Sequence, residues 1–426
     1  MNTEKALEMI AEGGFRQKME LLYGGSEEVI DRQRKRYEKA VRSFMKLYPS
    51  RKDIRLFSAP GRTEIGGNHT DHQHGCVLAA AVNLDVIAVV AFHDERAIRV
   101  KSEGYRAFSV SLDELEVMED KSGSAEIVRG IAAKFTKMGV MIGGFDMYST
   151  SDVLAGSGIS SSAAFETLIG TIIDIACNNG AAGAVEIAKI GQFAENVYFG
   201  KKSGLMDQMV SSVGGLVAID FHDTQDPKID SFEFDFEKAG YSLCITDTKG
   251  SHADLTPDYV AVPAEMESVA AQLGAKLLRD TDEAEFWKKL PQLREKCSDR
   301  AIMRAAHFYG DNRRAQLEAQ ALKNNDISQF LALVNESGES SAALLQNLYS
   351  CSKPTQQAIP LGIMMSRRFL CGKGAVRVHG GGFAGTIQAF VPTEMAEGYA
   401  AEMNRIYGKN SCYVLRIRPI GGTEIK

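Results

Sequence analysis

"DVLAGSGISSSAAFETLIG", residues 152–170, sets glycines and serines directly before a stretch whose apolar residues recur at helical spacing. Ala164, Leu168, Ile172, Ile173 and Ala176 share one face of 163–176, so the spacing predicts a helix that begins at the serines. Gly156 and Gly158 let backbone amides approach a ligand closely, and Ser160, Ser161 and Ser162 sit where a helix leaves its first N–H groups unpaired. That end of a helix attracts phosphate. Serine hydroxyls can also donate to phosphate oxygens or ligate magnesium. Two readings stand at this level: a serine-capped helix after a flexible turn, or a cradle for a nucleotide triphosphate and its metal. The stretch is not a full dinucleotide fingerprint, because Ser161 occupies the third glycine position, and no Gly-Lys-Ser/Thr follows to make a Walker A loop. Protein-kinase signatures are missing as well.

Working outward, "GGFDMYSTSDVL" (143–154) reads as the strand that feeds the serine loop, and 124–139 as a helix. Residues 54–62 and 86–92 read as strands, with "GRTEIGGNHTDHQHG" (61–75) as the loop between them, and 27–48 as an amphipathic surface helix. Downstream, 210–221 and 241–251 read as strands, and 257–348, rich in Ala, Glu, Lys and Leu, as mostly helical. Residues 374–392 and 412–419 return to β character around a glycine cluster. The mixture predicts α+β architecture in both halves. At 426 residues the chain exceeds what one core fills, which predicts two domains, 1–220 and 221–426.

A net charge of −6 leaves no basic excess for a nucleic-acid partner. "CVLAAAVNLDVIAVVAF" (76–92), the most apolar stretch, is interrupted by Asn83 and Asp85 and is short of a membrane span, so it reads as buried strands and no membrane partner is expected. The acidic start "MNTEKALEMIAEGG" differs from a secretory signal, and seven scattered cysteines without a CxxC suit free thiols, both of which point to the cytoplasm.

Two further constellations carry chemistry. In the loop 61–75, Arg62, Glu64, Asn68, His69, Asp71, His72 and His74 crowd together, which suits a sugar or a metal, or a polar surface loop. In "AENVYFGKKSGLMDQMVSSVGG", Glu195 falls in a predicted helix and Asp207 follows a Gly-Leu-Met turn. Asp207 reads either as a cap or as a base that orients a hydroxyl toward a γ-phosphate.

The order of these motifs resembles the galactokinase family of the GHMP small-molecule kinase superfamily over nearly the whole chain. The family's signature Gly-Arg-Val-Asn-Leu-Ile-Gly-Glu-His-Thr-Asp is matched by "GRTEIGGNHTD" (61–71), its phosphate loop by "GSGISSSAA", its catalytic aspartate segment by "SGLMDQ" and its third motif by "HGGGFAG". The resemblance implies a two-domain GHMP kinase fold, with a left-handed βαβ unit in the N-terminal domain and a ferredoxin-like C-terminal domain. It implies an ATP-dependent sugar 1-kinase, acting on galactose or on a related sugar such as galacturonate, arabinose or N-acetylgalactosamine, with Mg²⁺ and as a monomer or weak dimer. By position, Asp207 and Arg62 would be catalytic. Gly156, Ser157, Gly158, Ser160, Ser161 and Ser162 would bind ATP, and Ser162 and Glu195 would hold Mg²⁺, with Ser161 as an alternative to Ser162. Asn68, His69, Asp71, Gly204 and Tyr259 would contact the sugar.

The match has departures. Asn68 stands where the family has a glutamate that the resemblance assigns to the C6 hydroxyl, Glu64 where it has asparagine and Gly66 where it has isoleucine. The lost charge at position 68 predicts altered C6 chemistry, a carboxylate or a missing C6. Ala384 and Thr386 replace a usual glycine and cysteine, and Ala155 a common proline. "YVAVPAEME" lacks the paired arginines that commonly follow the tyrosine. Rivals are a sugar sensor of this family without turnover and a zinc hydrolase built on the histidine-rich loop.

Overall fold

The computed structural model describes residues 1–426 except Ser122, residues 154–157, Lys202, His252 and Ala253. Gly156 and Ser157, expected at the phosphate loop, therefore lie outside the described residues. Three helices open the chain: α1 (Thr3–Glu12), α2 (Arg16–Tyr23) and α3 (Glu27–Leu47). The first half continues with β1 (Arg55–Gly66), β2 (Cys76–His93), β3 (Ala97–Ser102), β4 (Phe108–Ser111), α4 (Ser124–Lys137) and β5 (Gly144–Ser151). It ends with α5 (Ser161–Cys177), α6 (Gly183–Phe193), α7 (Met206–Val213) and β6 (Leu216–Asp220).

Beyond these lie β7 (Lys228–Phe232), β8 (Tyr241–Asp247) and the helices α8 (Thr256–Gln272), α9 (Glu283–Lys288), α10 (Leu290–Lys296), α11 (Asp299–Lys323) and α12 (Ile327–Ser340). The chain closes with α13 (Ala358–Leu370), β9 (Ala375–His379), β10 (Thr386–Pro392), α14 (Ala396–Tyr407), β11 (Cys412–Leu415) and β12 (Thr423–Ile425). The α+β arrangement and the helical 257–348 segment agree with the sequence reading.

Two sheets organise these elements. The first runs β12-β1-β2-β5-β3-β4, and β6 and β7 extend it along the other half of β2. Its pairings are antiparallel except β3 with β5, whose connection carries α4. The second sheet, β11-β8-β10-β9, is antiparallel throughout. β7 and β12 lie past residue 221 yet pair with the first sheet, which thus draws on both sides of the expected domain boundary.

The apolar run 76–92 is one strand, β2, rather than several, and both its faces are covered. Successive side chains point to opposite faces. Val86, Ala88 and Val90 pack with Ile131, Phe135, Leu168 and Ile172 of α4 and α5. Ile87, Val89 and Ala91 pack with Ile10, Leu22, Tyr37 and Phe44 of α1–α3. A strand buried on both sides has no polar face to show, which is why its sequence does not alternate.

Two other boundaries shift. β1 runs on through Gly66, so half of the expected loop is strand and only 67–75 turns the chain. The expected strand at 210–221 begins at Leu216, because Val210–Val213 finish α7 and Gly214 and Gly215, with φ of 82° and 65°, break the helix.

Asp85 is the polar exception inside β2. It is fully buried and accepts hydrogen bonds from Tyr23 Oη at 2.5 Å, Arg36 Nη1 at 2.5 Å, Arg418 Nη1 at 3.1 Å and Ser58 Oγ. One carboxylate thereby ties α2, α3, β1 and the C-terminal segment together. Burial pushes its pKa up, but Arg36 and Arg418 outweigh this and hold it below the ordinary carboxylate value. A depressed folded pKa means stability that is present above the unfolded value of about 3.9 and is lost as pH falls through the folded one. Asp85→Ala leaves two guanidinium groups without their shared carboxylate and is expected to cost about 3–5 kcal/mol in urea unfolding at pH 7. The gap between the parent and Asp85→Asn should shrink below about pH 4. A stability equal to the parent's at pH 7 in both variants would contradict this role.

Candidate active site

The serine loop does not end in an ordinary cap. Ser160, just before α5, has φ 56° and ψ 67°, and its side chain makes no bond to the first turn of the helix. The serine-capped reading therefore fails, and among the described residues the amides of 161–163 have no partner. Instead the Ser160 hydroxyl donates to Asp207 Oδ2. Ser161 is half-buried and Ser162 exposed at the start of the helix.

Asp207 sits in the first turn of α7, where a negative charge suits the helix dipole. Arg62 grips it from β1 with both arms, Nε to Oδ1 at 2.7 Å and Nη2 to Oδ2 at 2.9 Å. Arg62 Nη1 donates to the Gly158 carbonyl, and the Arg62 amide donates to Ile159 O at 3.0 Å. A Cβ on Gly61 would lie 2.7 Å from Ile159 O, so only glycine lets β1 pass this close to the loop. β1 changes register between Pro60 and Arg62, and Ser211 of α7 donates to Pro60 O at 2.6 Å. The bulge and this brace together aim Arg62 at the aspartate.

Burial pushes the Asp207 pKa up, but Arg62 and then the Ser160 hydroxyl overcome it, leaving the group below the ordinary carboxylate value. Only 10% of the Arg62 side chain is exposed against 32% of Asp207, so the carboxylate keeps an open side for a substrate.

The turn at 67–75 brings its own groups to the same place. Asp71 approaches Gly204, where a Cβ would sit 3.1 Å from Asp71 Oδ2. His69 adopts φ 60° and places Nε2 2.9 Å from the Gly381 carbonyl. A carbonyl can only accept, so Nε2 carries the proton and Nδ1 is an acceptor, buried and without a partner among the described residues. Burial and then His72 lower the His69 pKa to about 4, so the ring is neutral near pH 7.

Asn68 is fully buried with its amide satisfied by the protein. Its Nδ2 donates to Glu64 Oε1 at 3.0 Å and to Gly380 O at 2.8 Å, and its Oδ1 accepts from Asn347 at 2.8 Å and Ser341 at 3.3 Å. Glu64 in turn pairs with Arg377 Nη2 at 2.7 Å. Gly66 is explained by Glu318, whose Oε2 fills the space that a Cβ would need. Both oxygens of Glu318 are buried without partners among the described residues, and burial holds its pKa well above the usual range, as expected of a neutral acid.

Two cavities meet at Ser161 and Ser162. One, of about 450 Å³, is bounded by Arg62, Gly158, Tyr259, His379, the glycines 380–382 and Thr386. The other, of about 490 Å³, is lined by Val86, Phe108, Ile127, Phe165, Phe199 and the carboxylates Glu166 and Glu195. Glu195 lies in a short π-helical turn, Ala194–Phe199, and is held by Lys201 at 2.8 Å, Ser203 at 2.5 Å and Gln208 at 2.9 Å. Gln208 also donates to Glu166 at 2.9 Å. Burial and then Glu195 push the Glu166 pKa up to about 8. Sequence reading missed Glu166, although its place one helical turn after Ser162 was a signal.

Tyr259 packs beneath the glycine cluster: its hydroxyl donates to Gly382 O at 2.7 Å, and a Cβ on Gly381 would meet its ring at 2.6 Å. Among the described residues, no three His, Cys, Asp or Glu side chains gather to hold a metal ion, so His69, His72 and His74 form no ligand set. Among the same residues, no helix is long and apolar enough to cross a membrane.

A family model described as the galactokinase galactose-binding signature matches residues 42–92, and one described as the GHMP kinases N-terminal domain matches 126–215. Galactokinase from Glaesserella parasuis serovar 5 (strain SH0165) is 29% identical over 354 residues, covering 83% of this chain and 89% of the relative. Among solved structures, Lactococcus lactis galactokinase complexed with galactose superposes with a TM-score of 0.75 at 22% identity, covering 90% of this chain and 98% of that one. A mevalonate kinase does so with a TM-score of 0.57 at 14% identity, covering 85% and 98%, so the GHMP kinase fold is shared. Galactokinase from Actinobacillus pleuropneumoniae serotype 5b (strain L20) is 30% identical over 362 residues, covering 83% of this chain and 88% of the relative, and the chain belongs to the galactokinase family.

Proposed function

We propose that this protein transfers the γ-phosphoryl group of ATP to the C1 hydroxyl of galactose. The observation that carries this reading is the meeting on Asp207 of Arg62 from the sugar-loop strand and Ser160 from the phosphate loop. A carboxylate bonded to both motifs stands where acceptor and phosphoryl donor must come together.

In this reading the first amides of α5 and the hydroxyls of Ser161 and Ser162 hold the phosphates, and the apolar second cavity takes the base. Asp207 accepts the hydrogen bond of the C1 hydroxyl and orients its oxygen for attack. As that oxygen bonds to the γ-phosphorus and the bond to the β-phosphate oxygen breaks, the proton passes to the carboxylate and ADP leaves. Because Arg62 keeps Asp207 ionised, the proton moves only as the phosphoryl group transfers. Arg62 also offsets negative charge in the transition state. Ser162 and Glu195 offer the hard oxygen donors that Mg²⁺ takes, beside the buried Oε1 of Glu166, which has no partner among the described residues, and these groups fit that ion. Bound there, Mg²⁺ would neutralise charge on the β- and γ-phosphate oxygens.

On the sugar side, Asp71, Gly204 and the acceptor Nδ1 of His69 form the contact surface, with Tyr259 supporting the glycine cluster. In this reading Asn68 acts as an internal brace, its amide bonded to Glu64, Gly380, Ser341 and Asn347. The charge missing at Asn68 reappears at Glu64, bonded to the same amide. With an acceptor at His69 and a carboxylate at Asp71, the site favours sugars that donate hydroxyls over a uronate.

Asp207→Asn is expected to lower kcat by about 10²- to 10⁴-fold while sugar and ATP still bind; a parent that binds both without forming ADP would instead make it a sensor. For the parent, kcat/KM should be flat from pH 5 to 8, with its acid limb below the ordinary carboxylate range. Removing Arg62 in Arg62→Ala should move that limb to higher pH, and an unmoved limb would contradict the role given to the ion pair. Across a sugar panel, kcat/KM for galactose should exceed that for galacturonate by at least about 100-fold, with arabinose between them. A preference for galacturonate would overturn the sugar assignment.

A further inference from the structure

Behind the phosphate cleft runs a hydrogen-bond chain that the transfer reaction as described does not use. It starts at a fixed point, the Glu64 carbonyl, which can only accept. Gln388 Nε2 lies 2.9 Å from that carbonyl and 2.8 Å from Thr63 Oγ1, so the amide orientation is set and Nε2 donates to Thr63. Thr63 Oγ1 is 3.0 Å from His379 Nε2, and its hydrogen meets no other acceptor among the described residues. Thr63 therefore donates to Nε2, and the ring proton of His379 lies on Nδ1. From there it is given to Thr386 Oγ1, 2.9 Å away. The opposite polarity would strand the Thr63 hydrogen in the interior without a partner.

The hydrogen of Thr386 then has no acceptor in the described protein. Thr386 is 2% exposed and lines the cleft formed with Arg62, Gly158 and Ser160–Ser162. A Cβ on Gly158 would lie 2.9 Å from Thr386 Oγ1, so the hydroxyl abuts the loop itself. His379 stays neutral because it is buried and Arg62 and Arg377 oppose a second proton more strongly than Asp207 favours one.

We propose that Thr386 is a further phosphate-binding residue, its hydroxyl hydrogen aimed at an oxygen of the terminal phosphates of ATP by the relay Gln388, Thr63, His379. The inference rests on the reading of this cleft as the phosphate site. Its test is calorimetric titration of the parent, Thr386→Val and Thr386→Ser with two probes: adenylyl imidodiphosphate plus magnesium, and AMP.

Thr386→Val should bind the triphosphate analogue about tenfold more weakly, as loss of one hydrogen bond to a charged group implies. Thr386→Ser should stay within threefold of the parent, and AMP should bind all three alike. His379→Phe should weaken the analogue in the parent background and add little in the Thr386→Val background. Should Val pack badly, Thr386→Ala is expected to show the same difference between probes. A Thr386→Val protein that binds the analogue within twofold of the parent, or loses AMP to the same degree, overturns the inference alone. A parent that binds no analogue overturns the phosphate-site reading and this inference with it.

Discussion

Asp207 receives both arms of one arginine and the hydroxyl of one serine, and the backbone around it is arranged to make that meeting unavoidable. Gly61 admits the Ile159 carbonyl at a distance no Cβ would allow, and the Arg62 amide closes a backbone bond to that carbonyl. Ser211 holds Pro60 to α7, so the strand that carries Arg62 and the helix that carries Asp207 are fixed to one another. A half-buried ion pair of this kind adds little to stability once desolvation is counted. What it supplies is a charged carboxylate at a defined place, about a third of it still exposed.

The sugar turn shows a second constraint, the management of charge inside the protein. Relative to the signature it resembles, the chain has exchanged asparagine and glutamate at positions 64 and 68, and the two side chains are hydrogen-bonded to each other. The negative charge has therefore moved within one local network, where Arg377 balances it. Gly66, between these two positions, leaves room for the Glu318 carboxyl. Three departures that look independent along the sequence are neighbours in space.

Much of the architecture was legible because local patterns and the fold agree. The helix after the serines, the strand at 144–151 and the helical 257–348 segment follow from periodicity that burial then uses. Where one apolar run serves two faces, as in β2, periodicity vanishes, and the sequence could not say whether 76–92 was one strand or several. Nor could it show that β1 carries strand geometry through Gly66, because the polar side chains there are paired with groups more than two hundred residues away, such as Arg377 and Gln388. The site was readable where motifs are contiguous. The partners Gln208, His379 and Thr386 were not, since their contacts arise only when α5, α7, β9 and β10 converge. The bonding of Asn68 was hidden for the same reason: its side-chain partners come from three separate segments.

The most direct measurement of the central claim is a crystal structure of the protein with galactose and a non-hydrolysable ATP analogue bound together. The phosphates are predicted to sit on the first turn of α5, with the C1 oxygen bonded to Asp207 and about 3–3.5 Å from the γ-phosphorus. Phosphates bound away from Ser160–Ser162, or a C1 oxygen out of reach of Asp207, would contradict it.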